Sequence, residues 1–197
     1  MTPVACIILA AGASQRMGRP KALLPYKGTT FMGKLISDYR RVTCQPIAVV
    51  LGVRAHQIRP FAEEAGVLIG INPHPEQGLL SSLKIGIKTL PSDCPGFFFC
   101  PVDHPAVELK TLRAMLRSWK GNRRRAIRPR YRDRGGHPVL MGSEWINIVL
   151  QAPPSSNVRD LLRRHHEHVV EFPVSDAGIL LNVDTQSDYE RLLKMEI

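Results

Sequence analysis

The chain alternates short, wholly apolar runs with longer amphipathic stretches, and this alternation admits very few architectures. Val4–Leu9, Ile47–Leu51, Val67–Ile71 and Phe97–Cys100 read as buried strands. Between them, Phe31–Arg40, Ala55–Glu64, Leu80–Leu90 and Leu109–Trp119 carry apolar residues at helical spacing. A strand that is apolar on both faces needs cover on both faces, and helical connections supply it. The expectation is an α/β fold: one doubly wound, mostly parallel sheet with right-handed crossovers.

The later part is less regular. Ala126–Tyr131 and Val139–Met141 read as strands, with Gly135 and Gly136 as a turn between them. Val158–His165 reads as a helix, His168–Phe172 and Ile179–Val183 as strands, and Ser187–Met195 as a closing helix. This stretch is expected to form a small irregular insertion. With no internal repeat and no low-complexity linker, residues 1–197 are expected to form a single domain.

Composition narrows the class. Apolar residues make up 44%, which excludes a disordered or fibrous chain. No run reaches the roughly 18 apolar residues of a membrane span. The stretch Val4–Ala11 has no basic leader and is too short for a signal peptide, so the expected location is cytoplasmic. Cys6, Cys44, Cys94 and Cys100 form no CxxC pair or zinc spacing and read as buried, reduced thiols. The balance of 27 basic against 17 acidic residues, a formal +10, favours an anionic partner: nucleotide, phosphorylated small molecule, nucleic acid or acidic protein. Charge alone does not choose among them.

In open α/β sheets ligands bind beyond the carboxyl ends of the strands. The first such place holds Leu9, Ala10, Ala11, Gly12 and then Arg16, Gly18, Arg19, Pro20 and Lys21. Small residues and two glycines let backbone amides approach an anion, and three cations add fixed charge, which together describe a triphosphate cradle. It is neither the P-loop GxxxxGK(S/T) nor GxGxxG, since the glycines stand six apart. The plainer alternative, a connection with solvated basic residues, explains the clustering less well.

Two carboxylates stand at comparable places. Asp103 follows the apolar run Phe97–Cys100 and suits a Mg²⁺ ion held against phosphate oxygens. It equally suits a turn or a helix cap, because a helical pattern begins soon after, at Val107. Asp184 ends the run Leu180–Val183, with N-capping of the last helix as its alternative.

The segment Leu9–Lys21 is similar to LA(A/G)GxSxRMGxxK, the signature of the MobA-like nucleotidyltransferases, which include the molybdenum cofactor cytidylyl- and guanylyltransferases. Asp103 falls in a segment resembling that family's DxP. Asp184 falls in one resembling DTPxDY, with Gln186 in place of Pro. Asn72–Leu83 resembles NPxxxxGxxSSL, Gly136–Leu140 resembles GHPxL, and Asn157–Leu162 resembles NxRxLL. The resemblance implies a Rossmann-like nucleotidyltransferase fold. It also implies that Leu9, Ala10, Ala11 and Gly12 hold the phosphates, with Arg16 on the β/γ-phosphates and Lys21 on the α-phosphate. Asp103 and Asp184 would be paired ligands of Mg²⁺, and Lys21, Arg16 and Asp103 the catalytic set. Gly78, Ser81 and Ser82 would lie near the nucleobase. His137 and Arg159 would face the acceptor, with bracing of a turn and pairing with a carboxylate as their respective alternatives.

Ala11 and Pro20 fit the cytidylyl pattern better than the guanylyl one, so CTP is the expected donor. The implied acceptor is molybdopterin, with sugar- or alditol-phosphates as the alternative and a molybdenum hydroxylase as a downstream partner. Seven arginines lie between Arg123 and Arg134, and Arg128, Arg130, Arg132 and Arg134 share one face if the segment is a strand. The favoured reading is a solvated edge strand protected by charge. The sharper one is a face that meets an anionic acceptor or an acidic partner enzyme. A nucleic-acid-binding module is the rival class, but no aromatic stacking set or reader motif accompanies these arginines. His165, His166 and His168 read as a polar helix end.

Overall fold

The four apolar runs form the parallel heart of the sheet. The computed structural model describes residues 3–195. In chain order the elements are β1 (Ala5–Ala10), a small hairpin β2 (Pro25–Tyr26) and β3 (Thr29–Thr30), α1 (Phe31–Arg41), β4 (Ile47–Leu51), α2 (Ala55–Glu64), β5 (Leu68–Ile71), α3 (Leu79–Lys88), β6 (Gly96–Pro101), α4 (Leu109–Trp119), β7 (Ala126–Tyr131), β8 (Arg134–Gly135), β9 (Val139–Gly142), α5 (Glu144–Gln151), α6 (Val158–Arg164), β10 (Val169–Pro173) and α7 (Gln186–Lys194). The strand order is β10-β7-β9-β6-β1-β4-β5, with β8 paired to β7. Strand β1 pairs in parallel with β4 on one side and β6 on the other, so Ile7 lies between Ala48 and Phe99. The strand order reverses at β1, which places the ligand crevice at its carboxyl end.

Both sheet faces are covered over β1, β4 and β6, whereas β5, expected as a buried strand, is an edge with Leu68 and Ile71 exposed. Cys6, Ile8, Phe98 and Cys100 pack beneath α1, α2, α4 and α7 through Phe31, Tyr39, Ile58, Met115 and Leu192. Ile7, Phe97 and Phe99 pack beneath α3, α5 and α6 through Leu83, Trp145 and Leu161. Each such side chain contributes about 1.5–3 kcal/mol on burial. Helix α3 approaches closely because Gly86 has no side chain; a Cβ there would lie 2.3 Å from Ile7 Cγ2.

Three further features depart from the expectations. The late segment extends the main sheet instead of forming an irregular insertion, with β9 antiparallel to both β6 and β7. Strand β7 is not an edge: β10 pairs outside it, in parallel, with Glu171 opposite Arg128. The solvated-edge reading of its arginines is therefore wrong, because an interior strand needs no charge to prevent aggregation. The expected strand Ile179–Val183 is instead a 3-10 turn, Ala177–Leu180, followed by extended chain outside any ladder. This segment runs across the carboxyl ends of the strands and meets them at single points. His137 N donates to Ile179 O at 3.0 Å, and Val183 N donates to Asp103 O at 2.9 Å.

Candidate active site

The loop after β1 is pinned at both ends. Met17 is buried, Ser14 Oγ accepts from Lys21 N at 3.2 Å, and Arg54 Nη1 donates to Gly18 O at 2.9 Å. Gly18 has φ +66, a backbone region that glycine enters without strain. A single 3-10 turn, Lys21–Leu23, then turns the Lys21 side chain inward. Its ammonium lies 3.2 Å from Asp103 Oδ2 and 2.5 Å from Asp184 Oδ1, with the side chain only 13% exposed. Arg16 reaches Asp184 Oδ2 at 3.5 Å from a 67% exposed side chain, a contact weakened by solvent.

The two carboxylates, far apart in sequence, converge because the Val183–Asp103 backbone bond joins their segments. Neither acts as a helix cap. Thr185 caps α7 in a reciprocal capping box with Asp188, whose Oδ2 also accepts from Asp184 N at 3.1 Å. Asp176, buried, accepts from Glu108 N at 2.9 Å and Thr111 Oγ1 at 2.8 Å at the start of α4. Asp184 does not end a strand, but its side chain still faces the cavity, where Asn182 Nδ2 donates to its Oδ2 at 2.9 Å. Burial alone would raise the Asp103 pKa. The His104 ring, 2.8 Å away, and the Lys21 ammonium outweigh it and hold the carboxyl below its usual range.

Leu9, Ala10, Gly12, Arg16, Lys21, Asp103 and Asp184 line one cavity of about 640 Å³. A point within reach of two carboxylate oxygens, already occupied by an ammonium, suits a hard divalent cation. Among the described residues no group of three or more His, Cys, Asp or Glu side chains is set to hold a metal. Asp103 and Asp184 are the two carboxylates that could contribute to holding such a cation.

The other expected residues lie elsewhere. Ala11 is buried against Gly52, where a Cβ would meet Ala11 O at 2.3 Å. Ser81 and Ser82 each accept from Asn72 Nδ2 at 2.9 Å, and Ser81 donates to Gly78 O at 2.8 Å. Their hydroxyls thus brace the 72–78 loop and line neither cavity. Gly78, His137 and Arg159 border a second cavity of about 620 Å³, together with His104, Arg128 and Arg134. The His137 ring stands edge-on to Phe99 and His104, with centroids 5.5 and 4.9 Å away. Its Nδ1 is shielded without a hydrogen-bond partner, and burial, assisted by His104, pushes its pKa down to about 3. Arg159 is exposed and pairs with no carboxylate among the described residues.

Sequence reasoning passed over His104, Asn72, Asn182 and Arg54. His104 had a signal, since it stands beside a candidate metal ligand. Asn182 stands two residues from Asp184, and Asn72 opens the Asn72–Leu83 segment whose serines it holds, so both had a local signal. Arg54 acts on a distant segment, which no local pattern reveals.

The sequence profile of the MobA-like NTP transferase domain matches residues 6–169. Molybdenum cofactor cytidylyltransferase of Escherichia coli (strain K12) is 29% identical over 190 residues, 96% of this chain and 95% of that protein. Probable molybdenum cofactor guanylyltransferase of Rhodopirellula baltica is 26% identical over 194 residues, 94% of this chain and 90% of that protein. The crystal structure of Rv0371C in complex with manganese, from Mycobacterium tuberculosis H37Rv, superposes with a TM-score of 0.79 at 26% identity. That match covers 98% of this chain and 99% of the other.

Proposed function

The chain belongs to the MobA-like NTP transferase family, and from that premise we propose that it moves CMP from magnesium-bound CTP to the phosphate of a molybdopterin-type acceptor, releasing pyrophosphate. The observation that carries this reading is the convergence of Lys21, Asp103 and Asp184 in the cavity beside the Leu9–Gly12 loop. The triphosphate lies against Leu9, Ala10 and Gly12, with Arg16 on its β/γ end. Lys21 neutralises charge that builds on the α-phosphate during attack. Asp103 and Asp184 would hold Mg²⁺, which supplies further charge neutralisation at the phosphates. An acceptor phosphate oxygen from the second cavity bonds to the α-phosphorus in line. The bond to the bridging oxygen breaks, and its electron pair leaves with pyrophosphate. The attacking oxygen is already ionised at neutral pH, so no general base is required; orientation carries the rest.

CTP is preferred because Ala11 and Pro20 follow the cytidylyl pattern and the Escherichia coli relative bears that name. The manganese complex of the Mycobacterium tuberculosis protein supports a divalent cation. No helix among the described residues is long and apolar enough to cross a membrane, consistent with work in the cytoplasm beside a molybdenum hydroxylase that receives the product. Two of the seven arginines behind the nucleic-acid reading, Arg128 and Arg134, line a cavity rather than an open face.

The test is pyrophosphate release from CTP, GTP, ATP and UTP, each with and without molybdopterin and with a sugar phosphate as the alternative acceptor. CTP with molybdopterin should be fastest, and Asp103→Ala should slow it by about 10²-fold or more. Unchanged release by Asp103→Ala would overturn the scheme.

A further inference from the structure

The two cavities differ in kind. The first sets carboxylates against cations, whereas the second is lined by three arginines and two histidines, with no Asp or Glu among its lining residues. Two of those arginines, Arg128 and Arg134, come from the β7–β8 hairpin, and Arg159 comes from the first turn of α6.

We propose that Arg128, Arg134 and Arg159 form a metal-independent site for the dianionic phosphate monoester of the acceptor, and that Gly135 and Glu171 are positioning residues that aim Arg128. The purpose given to the site rests on the transferase reading; its existence does not.

Arg128 is the fixed member. Its guanidinium lies flat on Gly135: a Cβ there would sit 2.2 Å from Arg128 Nε and 2.3 Å from Cζ. Glu171, directly opposite on β10, accepts from Nη1 at 3.3 Å. Glycine thus leaves room on one face and a carboxylate holds one edge, with the side chain 30% exposed. The remaining N–H groups are free for a ligand, and a planar guanidinium fork matches phosphate oxygens in pairs. Arg134 and Arg159 are exposed and pair with no carboxylate among the described residues, so two of the three charges lack a protein counter-ion. Leu80, Phe99, Leu162 and Ile179 form apolar wall in the same cavity, which suits an organic body attached to the phosphate. Without a lining carboxylate, a phosphate can enter with no cation to bridge it.

The experiment measures equilibrium binding of phenyl phosphate and of inorganic phosphate to the full chain, in excess EDTA and without nucleotide. Phenyl phosphate should bind, and more tightly than inorganic phosphate. Arg128→Ala and Arg134→Ala should each weaken it by about tenfold or more. Gly135→Ala keeps every charge but displaces the guanidinium, so it should weaken phenyl phosphate several-fold at an unchanged melting temperature, with Glu171→Gln acting in the same direction. In turnover assays these two variants should raise KM for the acceptor and leave KM for CTP as it was. Equal binding of the two phosphates overturns the ester assignment. Binding that ignores Arg128→Ala, requires a divalent cation, or is lost in Lys21→Ala instead overturns the site. If Gly135→Ala does not fold, Glu171→Gln and Arg128→Lys decide the positioning claim, which fails if both bind phenyl phosphate as tightly as the parent. Failure of pyrophosphate release with intact phenyl phosphate binding would remove the transferase reading and leave the site standing; the opposite pattern would do the reverse.

Discussion

At the scale of single residues, the second cavity holds a neutral imidazole among cations. His137 is half-buried against Phe99 and His104 with its Nδ1 shielded, and a pKa pushed down to about 3 keeps it uncharged at any physiological pH. In the unfolded chain the same ring titrates near its ordinary value of 6.5. Between those two values the unfolded state binds the extra proton, so stability rises with pH across the window and is lost as pH falls from 6.5 towards 3. The slope from this one group is at most about 1.4 kcal/mol per pH unit. His137→Gln should therefore flatten the dependence of unfolding free energy on pH between 6.5 and 4, measured by denaturant titration. An imidazole signal from His137 that titrates between pH 5 and 8 in NMR would contradict the burial argument. Asp103 acts in the same sense at lower pH: its carboxyl is held below 3.8, and that contribution disappears as pH drops through its folded value.

At the scale of elements, caps decide where functional carboxylates point. The Thr185–Asp188 box satisfies the first amides of α7 and leaves Asp184 available to Lys21. Thr185→Ala should cost about 1 kcal/mol of stability. Because Asp188 also holds Asp184 N, the same variant should shift metal activation to higher concentration, read from a titration of rate against Mg²⁺. A loss of stability with an unchanged activation curve would show that the box serves the helix alone. The elements themselves were largely legible in the sequence, because each apolar run has one length and one period. Helix α5 was passed over because Trp145–Leu150 mixes β-branched and apolar residues without a clear period. The run Ile179–Val183 misled for the opposite reason: it is apolar because it crosses the strand ends over a buried core, not because it pairs with a strand.

At the scale of the molecule, two cavities carry residues from adjacent positions: Asp103 lines one and His104 the other. Donor and acceptor can therefore be held together, and no covalent nucleotidyl-enzyme is needed. The thiols offer no nucleophile, since all four cysteines are buried and burial pushes Cys44 and Cys100 up to about 12. Initial-velocity plots with both substrates varied should intersect, and labelled pyrophosphate should not exchange into CTP when the acceptor is absent. Exchange at the turnover rate without acceptor would point to a covalent intermediate.

The sequence by itself determined the parallel α/β core and the glycine-and-cation loop, because these rest on local periodicity and on residue types at short spacing; the two aspartates were singled out as metal ligands over caps only through the family resemblance. Only the tertiary structure decided that Asp184 is brought to Asp103 by the Val183–Asp103 backbone bond rather than from a strand end, that Ser81 and Ser82 brace a loop, and that Arg128 of β7 and Arg134 of β8 line a cavity. Those outcomes depend on which distant segments come into contact. Strand order settles that, and a one-dimensional pattern of apolar and charged residues does not encode strand order on its face.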